Sequence, residues 1–465
     1  MAQSVWFDEA YSIELAKRPI AEIIRLTSLD VHPPLYYIIL HIWGGIFGWG
    51  ELALRAMSAI FMGTAVFMAG VFTKKMFGNR AALFALMFIV LSPILLRYGF
   101  EIRMYAMASF IGITATYCLT SAIYTQNAKN RNIYYAIYAV LVAVGMLTLY
   151  YLALLWLAHF VWLVWRTFKS KRSVFKSEWL FAYLASVLIF MPWMPNFISQ
   201  MTNNALAPIS QFMTIDNLIG IFSFNFFYRP VWQLNAVDTI AVVLLIVIIV
   251  SLTSRANKKL DGLKKDKLFL VALYMLVPII VLSVIGIFKP MYTERYLSHI
   301  AIGGLIFIGV IVSEATRKSG WQGIVINLSL LVCIAFGLMQ LVSVGNYNFQ
   351  RLQKPDVENI SKLVNDCSDD NVVLAADPYV ATELSYYLAD CEIYFYSTDL
   401  RIGGGYAPLD GSNYKLSDPK SKLSNKKTIY YFYYGDGASL VPPGLDSIER
   451  ATGGGLTLEK YISDH

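Results

Sequence analysis

Apolar runs close to the length that crosses a bilayer recur along most of the chain, separated by short polar connections. A helix needs about 20 apolar residues to span the hydrocarbon core. That ruler predicts about ten spans, within 52–73, 80–96, 104–124, 132–149, 150–168, 177–195, 235–253, 268–288, 296–313 and 322–343. The fourth and fifth run together, which leaves their shared turn near Tyr150 and Tyr151 open. After residue 343 the pattern changes to a polar tail, rich in Tyr and Gly, in which short apolar runs alternate with helical ones. Helices are predicted at 357–364 and 381–388, and strands at 371–376, 392–396 and 428–434. The chain therefore divides into an N-terminal segment 1–51 with juxtamembrane helices, a membrane domain 52–343 and a small α/β domain 344–465.

Composition supports a polytopic α-helical membrane protein and excludes a soluble one: 57% of residues are hydrophobic, 15% are charged, and the mean hydropathy is +0.53. Basic residues fall in alternate loops: Lys74, Lys75 and Arg80; Lys129 and Arg131; Arg166, Lys169, Lys171, Arg172 and Lys176; Arg255, Lys258, Lys259, Lys264, Lys265 and Lys267; Arg317 and Lys318. Short loops rich in Lys and Arg are retained on the cytoplasmic side. The N-terminal segment, the turn 97–103, the loop 196–235, the turn 289–295 and the tail are then expected outside, with the protein in the plasma membrane. The net charge of +7 reflects this topology, and no basic, aromatic-interleaved patch points to nucleic acid. Of the four cysteines, Cys118 and Cys333 lie in predicted spans. Cys367 and Cys391 flank a helix–strand unit of the tail, where an oxidising compartment would allow a disulfide. Their spacing does not suggest zinc, and the triple glycines at 403–405 and 453–455 read as turns rather than a phosphate cradle.

Candidate chemistry clusters in three outside places. Asp8 and Glu9 precede Tyr11 and a segment that could lie at the interface, before Asp30, His32 and the Pro33-Pro34 break. Carboxylates just outside the hydrocarbon are suited to general-base work on a lipid-carried substrate, whereas the bland reading is solvated polar residues. The turn RYGFEIRMY, 97–105, sets Glu101 between Arg97 and Arg103, a pattern that can hold a phosphate-binding guanidinium or simply anchor the chain at the headgroups. The turn KPMYTERY, 289–296, carries Lys289, Tyr292, Glu294, Arg295 and Tyr296, and its positive residues run against the topogenic bias.

Together, WFDEAYS at 6–12, the stretch from Asp30 to Gly63 that opens DVHPPLYY, LSPILLRYGFEIRMYA at 91–106, PWMP at 192–195 and ERYL at 294–297 resemble the GT-C superfamily of integral-membrane glycosyltransferases. The similarity is to the branch with the protein O-mannosyltransferases and the lipid A aminoarabinose transferase, glycosyltransferase family 39-like. The resemblance implies transfer of a sugar from a polyprenyl-phosphate donor to a protein, lipid or glycan acceptor on the exterior face, with inversion. It makes Asp8 the general base, with Glu9 positioning it or the acceptor and Glu101 orienting a base or an arginine. Arg103, Lys289 and Arg295 would bind the donor phosphate, and Tyr11, His32, Tyr105 and Tyr292 would line the donor or acceptor. No nucleotide-sugar site is required, and metal dependence is left open, since the acidic residues could hold a divalent metal ion or work without one. Relatives place a membrane span ahead of the Asp-Glu loop, whereas seven residues precede Asp8 here, and Leu149 stands where many relatives show a His. A polymerase or ligase using a lipid-diphosphate donor, and a transporter or scaffold, are the alternative readings.

Overall fold

The structure is a computed structural model that describes residues 4–171, 173–202, 212–227, 235–290, 294–317, 320–344, 356–368, 370–396, 406–409, 415–416, 427–435 and 447–462. In chain order the helices are α1 (Phe7–Ala16), α2 (Ile20–Leu29), α3 (Leu35–Phe47), α4 (Glu51–Phe77), α5 (Asn79–Val90), α6 (Pro93–Gly99), α7 (Tyr105–Tyr124), α8 (Ala128–Met146), α9 (Leu152–Lys169), α10 (Glu178–Phe190), α11 (Met194–Thr202), α12 (Ile215–Phe227), α13 (Ala236–Lys259), α14 (Gly262–Phe288), α15 (Ser298–Ala315), α16 (Gly320–Val344), α17 (Val357–Ser361) and α18 (Pro378–Tyr387). The strands are β1 (Asn371–Ala375), β2 (Ile393–Tyr396), β3 (Lys415–Leu416), β4 (Thr428–Tyr434), β5 (Ser447–Gly453) and β6 (Leu456–Ile462). Two compact units emerge: residues 55–343, and residues 1–54 together with 344–465.

In the first unit a helix stands at each of the ten positions read from the sequence. Among the described residues, seven stretches are long and apolar enough to cross a membrane: α4, α7, α9, Glu178–Thr202, α13, α14 and Arg295–Ala315. The stretch 80–96, expected to be one continuous span, is instead α5 and α6 bent by 62°. Pro93 causes the break. Its ring disfavours helical backbone at the residue before it, and Ser92 is extended at φ −70° and ψ 120°. Counting that pair as one gives up to eight spans. α8 and α9 separate at 147–151, which resolves the shared turn. α8 opens on the polar AKNRN, and its start is fixed by Asn127, whose side chain accepts the Asn130 N–H at 3.1 Å.

α15 is the centre of this unit, with its apolar span buried throughout. Two glycines make that possible. A Cβ on Gly303 would fall 2.3 Å from the Tyr274 ring of α14, and one on Gly309 would fall 2.5 Å from the Ala85 backbone of α5. Small residues let helices approach closely where apolar burial gives no preference between protein and lipid.

The basic residues gather at one end of the bundle. Lys75 donates to Ser121 at 2.8 Å, Arg80 to Thr316 at 3.3 Å, and Lys259 to the carbonyls of Ala315 and Arg317 at 2.9 and 2.8 Å. Arg166 pairs with Asp266, and Lys267 reaches the Met76 carbonyl at 3.4 Å. The opposite end carries the turns at 97–105, 147–151 and 294–297. The alternation of loops in the sequence thus corresponds to two chemically different ends.

The second unit is built on a six-stranded sheet in the order β3-β2-β1-β4-β6-β5. β1 runs parallel to β2 and β4, while β6 is antiparallel to β4 and β5. One face packs Val373, Phe395 and Phe432 against Val380 and Leu384 of α18. The three strands read from the sequence are β1, β2 and β4; the remaining strands went unread. The β5–β6 hairpin turns at Gly454 and Gly455, whose φ of 59° and 86° are open to glycine without strain. The triple glycine at 403–405 lies outside the described residues. Cys367 and Cys391 form a disulfide with Cα atoms 5.2 Å apart. The N-terminal segment, read as a loop with juxtamembrane helices, is the helices α1 to α3, and α1 packs on α18 of the C-terminal domain.

Candidate active site

The acidic pair opens α1, where negative charge complements the partial positive charge of the helix start. The residue ahead of the helix, Trp6, makes no side-chain cap. Capping comes from α18. The Phe7 N–H donates to Glu383 at 3.2 Å and the Val5 N–H to the Tyr387 hydroxyl at 2.7 Å. Tyr434 donates to the other Glu383 oxygen at 2.5 Å, and Tyr387 donates to Glu51 at 2.5 Å. Phe7 stacks on Tyr379 with ring centres 4.2 Å apart. Burial, and after it the hydrogen bond to Glu51, pushes the Tyr387 hydroxyl well above its ordinary range, so it stays a donor at neutral pH.

The pair is not solvated decoration. Asp8 is 7% exposed, Glu9 1% and Tyr11 2%, and buried carboxylates are retained only with partners or a task. Tyr11 donates to Asp30, and Ser12 donates to the Asp8 carbonyl at 2.9 Å. Asp30 and His32 are buried as well. Among the described residues, no three His, Cys, Asp or Glu side chains come together in a way that could hold a metal ion.

Sequence reading missed Glu383, Tyr387 and Tyr379. Their spacing of four, 379, 383 and 387, places them on one face of α18, and a polar stripe on an otherwise apolar helix was the available signal. Glu383→Ala is expected to leave the Phe7 N–H and the Tyr434 hydroxyl without their acceptor, at about 1–3 kcal/mol each. Hydrogen exchange of the α1 amides should then rise by roughly tenfold or more. Unchanged exchange over residues 5–16 would show that α18 does not hold α1.

The membrane unit carries the second group. The turn after α6 is tied down by its backbone: the Arg103 N–H donates to the Glu101 carbonyl at 2.7 Å, and Ser58 donates to that same carbonyl at 2.6 Å. Arg97 faces Glu101 at 3.5 Å with side chains 4% and 0% exposed. Arg103 and Arg295 are also buried. Tyrosine rings join the separate turns: Tyr98 to Tyr105 at 5.2 Å, Tyr105 to Tyr296 at 6.3 Å and Tyr151 to Tyr296 at 4.9 Å. The Arg97 guanidinium thus faces the Glu101 carboxylate, while Arg103 and Arg295 are buried within the same unit.

Lys289 donates to the Met201 carbonyl at 3.0 Å, the C-terminal end of α11. Tyr292 lies outside the described residues, as does the side chain of Glu294.

The profile of the dolichyl-phosphate-mannose-protein mannosyltransferase family matches residues 31–198. No curated protein sequence matches the chain. Among solved structures, ArnT from Cupriavidus metallidurans bound to undecaprenyl phosphate superposes with a TM-score of 0.66 at 12% identity, covering 99% of this chain and 95% of that one. Its apo form gives 0.66 at 11% identity, covering 98% and 94%. The Archaeoglobus fulgidus oligosaccharyltransferase in complex with Zn and sulfate gives 0.51 at 12% identity, covering 93% of this chain and 64% of that one. At such identities the likeness is one of fold. The chain resembles the dolichyl-phosphate-mannose-protein mannosyltransferase family over residues 31–198 and shares the fold of ArnT along nearly its whole length.

Proposed function

We propose that the protein transfers a sugar from a polyprenyl-phosphate donor to a hydroxyl or amine of a protein, lipid or glycan acceptor at the exterior face of the plasma membrane. The observation that carries this reading is the burial of three arginines, Arg97, Arg103 and Arg295, with Glu101 in one unit, with Arg97 paired to Glu101. A phosphate monoester or diester satisfies such a group with short, charge-assisted and often bidentate hydrogen bonds. Undecaprenyl phosphate is bound by the ArnT whose fold this chain shares, which agrees with that preference.

In the proposed reaction the acceptor attacks the anomeric carbon as the bond to the phosphate oxygen breaks, with inversion. Asp8 takes the acceptor proton and Glu9 orients it. Arg103 and Arg295 stabilise the charge that grows on the departing phosphate, and Glu101 orients Arg97, with which it pairs. Lys289, Tyr11, His32, Tyr105 and Tyr292 are assigned to the surround of donor and acceptor. The exterior placement of the C-terminal domain rests on the basic end of the bundle facing the cytoplasm, and the Cys367–Cys391 disulfide suits it.

Membranes holding the protein should transfer radiolabelled sugar from a polyprenyl monophosphate and leave nucleotide sugars unused. Transfer from a polyprenyl diphosphate-linked glycan instead would favour the polymerase or ligase reading.

A further inference from the structure

At the basic end of the membrane unit, away from the turns described above, there is a cavity of about 400 Å³. It opens where α7 and α9 end and where α8 and α10 begin. Its wall includes Arg131, Arg166, Lys176, Thr125, Ser173 and Trp179. Among the described residues three cations line it, against the carboxylate of Glu178.

The cations differ in how firmly they are held. Arg166 is fixed: it pairs with Asp266, which also accepts from Tyr124 at 2.8 Å and from the Trp162 indole at 3.2 Å. Its guanidinium lies 4.9 Å from the Tyr124 ring centre and 5.7 Å from that of Trp162. Arg131 is poised. Its Nε lies 2.7 Å from Glu178, yet no acceptor is well aligned with that N–H among the described residues. The two side chains are 32% and 54% exposed, so this ion pair contributes little and exchanges easily. Lys176 is exposed at the rim.

Snorkelling residues extend singly towards water from the ends of spans. Here the arrangement is concave, one guanidinium is immobilised by a carboxylate and two aromatic rings, and hydroxyl groups share the wall. The volume falls within the range of small-molecule sites, about 300–1,000 Å³.

We propose that this cavity is a second anion site, distinct from the donor-phosphate group, which takes a phosphate ester at the cytoplasmic end of the bundle. Arg131 would exchange Glu178 for the phosphate, Arg166 would supply a fixed positive wall, and Lys176 would close the rim. The phosphate could be the headgroup of an anionic phospholipid or belong to a soluble phosphate ester. The chemistry recognised is the same.

The test uses the full-length protein purified in neutral detergent. Binding of dihexanoyl phosphatidylglycerol would be followed by native mass spectrometry, and binding of glycerol 3-phosphate by calorimetry. Both would be compared between wild type, Arg131→Gln/Lys176→Gln and Lys176→Gln alone. The single variant, at an exposed position, keeps the comparison open if the double variant does not fold. Binding about tenfold weaker in the double variant, the loss expected for charge-assisted contacts, supports the site. Loss confined to the phospholipid identifies a headgroup site, and loss for both ligands identifies a general phosphate-ester site. Wild-type affinity in both variants for both ligands, or no binding of either ligand to the wild type, overturns it. The readout is binding and needs no transferase activity, so its outcome stands apart from that of the proposed reaction.

Discussion

Asp8→Asn is expected to lower the rate of sugar transfer about a thousandfold, the middle of the range for loss of a positioned general base, while leaving donor affinity close to that of the wild type. Asparagine has nearly the shape of aspartate, so the buried position in α1 stays filled. The contacts that hold the helix also survive, because they are made by the backbone of Val5 and Phe7 to Tyr387 and Glu383. What is removed is the carboxylate that accepts the proton. Loss of one favourable charge at the helix start accounts for about 0.3–1 kcal/mol of stability, and the melt reads any further cost. Steady-state transfer with saturating donor checks the rate, and a thermal melt checks the fold. Transfer within a few-fold of wild type would remove Asp8 from the mechanism.

The second large effect falls on the donor. Arg295→Gln is expected to weaken binding of polyprenyl phosphate roughly a hundredfold, the equivalent of about 2–3 kcal/mol for a lost charge-assisted contact. Replacement of an arginine that serves the donor lowers lipid affinity specifically. A structural arginine would behave the other way, with a lowered melting temperature and no specific loss of donor affinity. Titration of the lipid phosphate into the purified variant, alongside a melt without lipid, separates the two cases.

These residues were legible in the sequence to different degrees. Span length and the alternation of basic loops depend on local composition, so the helices and the two ends of the bundle could be read directly. The bend between α5 and α6 was hidden because hydropathy averages across Ser92 and Pro93, whereas backbone geometry does not. In the C-terminal domain β5 was unreadable for a different reason. Its SIERATG is almost wholly exposed, so it lacks the alternation that marks a strand with one buried face.

The candidate site followed the same division. Asp8, Glu101, Arg103 and Arg295 stood out by residue type near the ends of apolar runs. The partners that give them their setting lie far away in the chain, as Phe7 and Glu383 are 376 residues apart and Tyr105 meets Tyr296 through ring packing. Long-range pairings of that kind leave no periodic trace in a single sequence. Lys289 illustrates the converse: its position in a basic turn suggested phosphate, but its ammonium group also satisfies the Met201 carbonyl near the end of α11.

The central claim is that the arginines hold the lipid phosphate while the acidic pair activates the acceptor. Its most direct measurement is donor affinity and single-turnover transfer on the same purified preparations of wild type and Asp8→Asn, using one polyprenyl-phosphate sugar. The account predicts equal affinity with transfer about a thousandfold slower in the variant. Affinity and transfer lost together, or both unchanged, would contradict it.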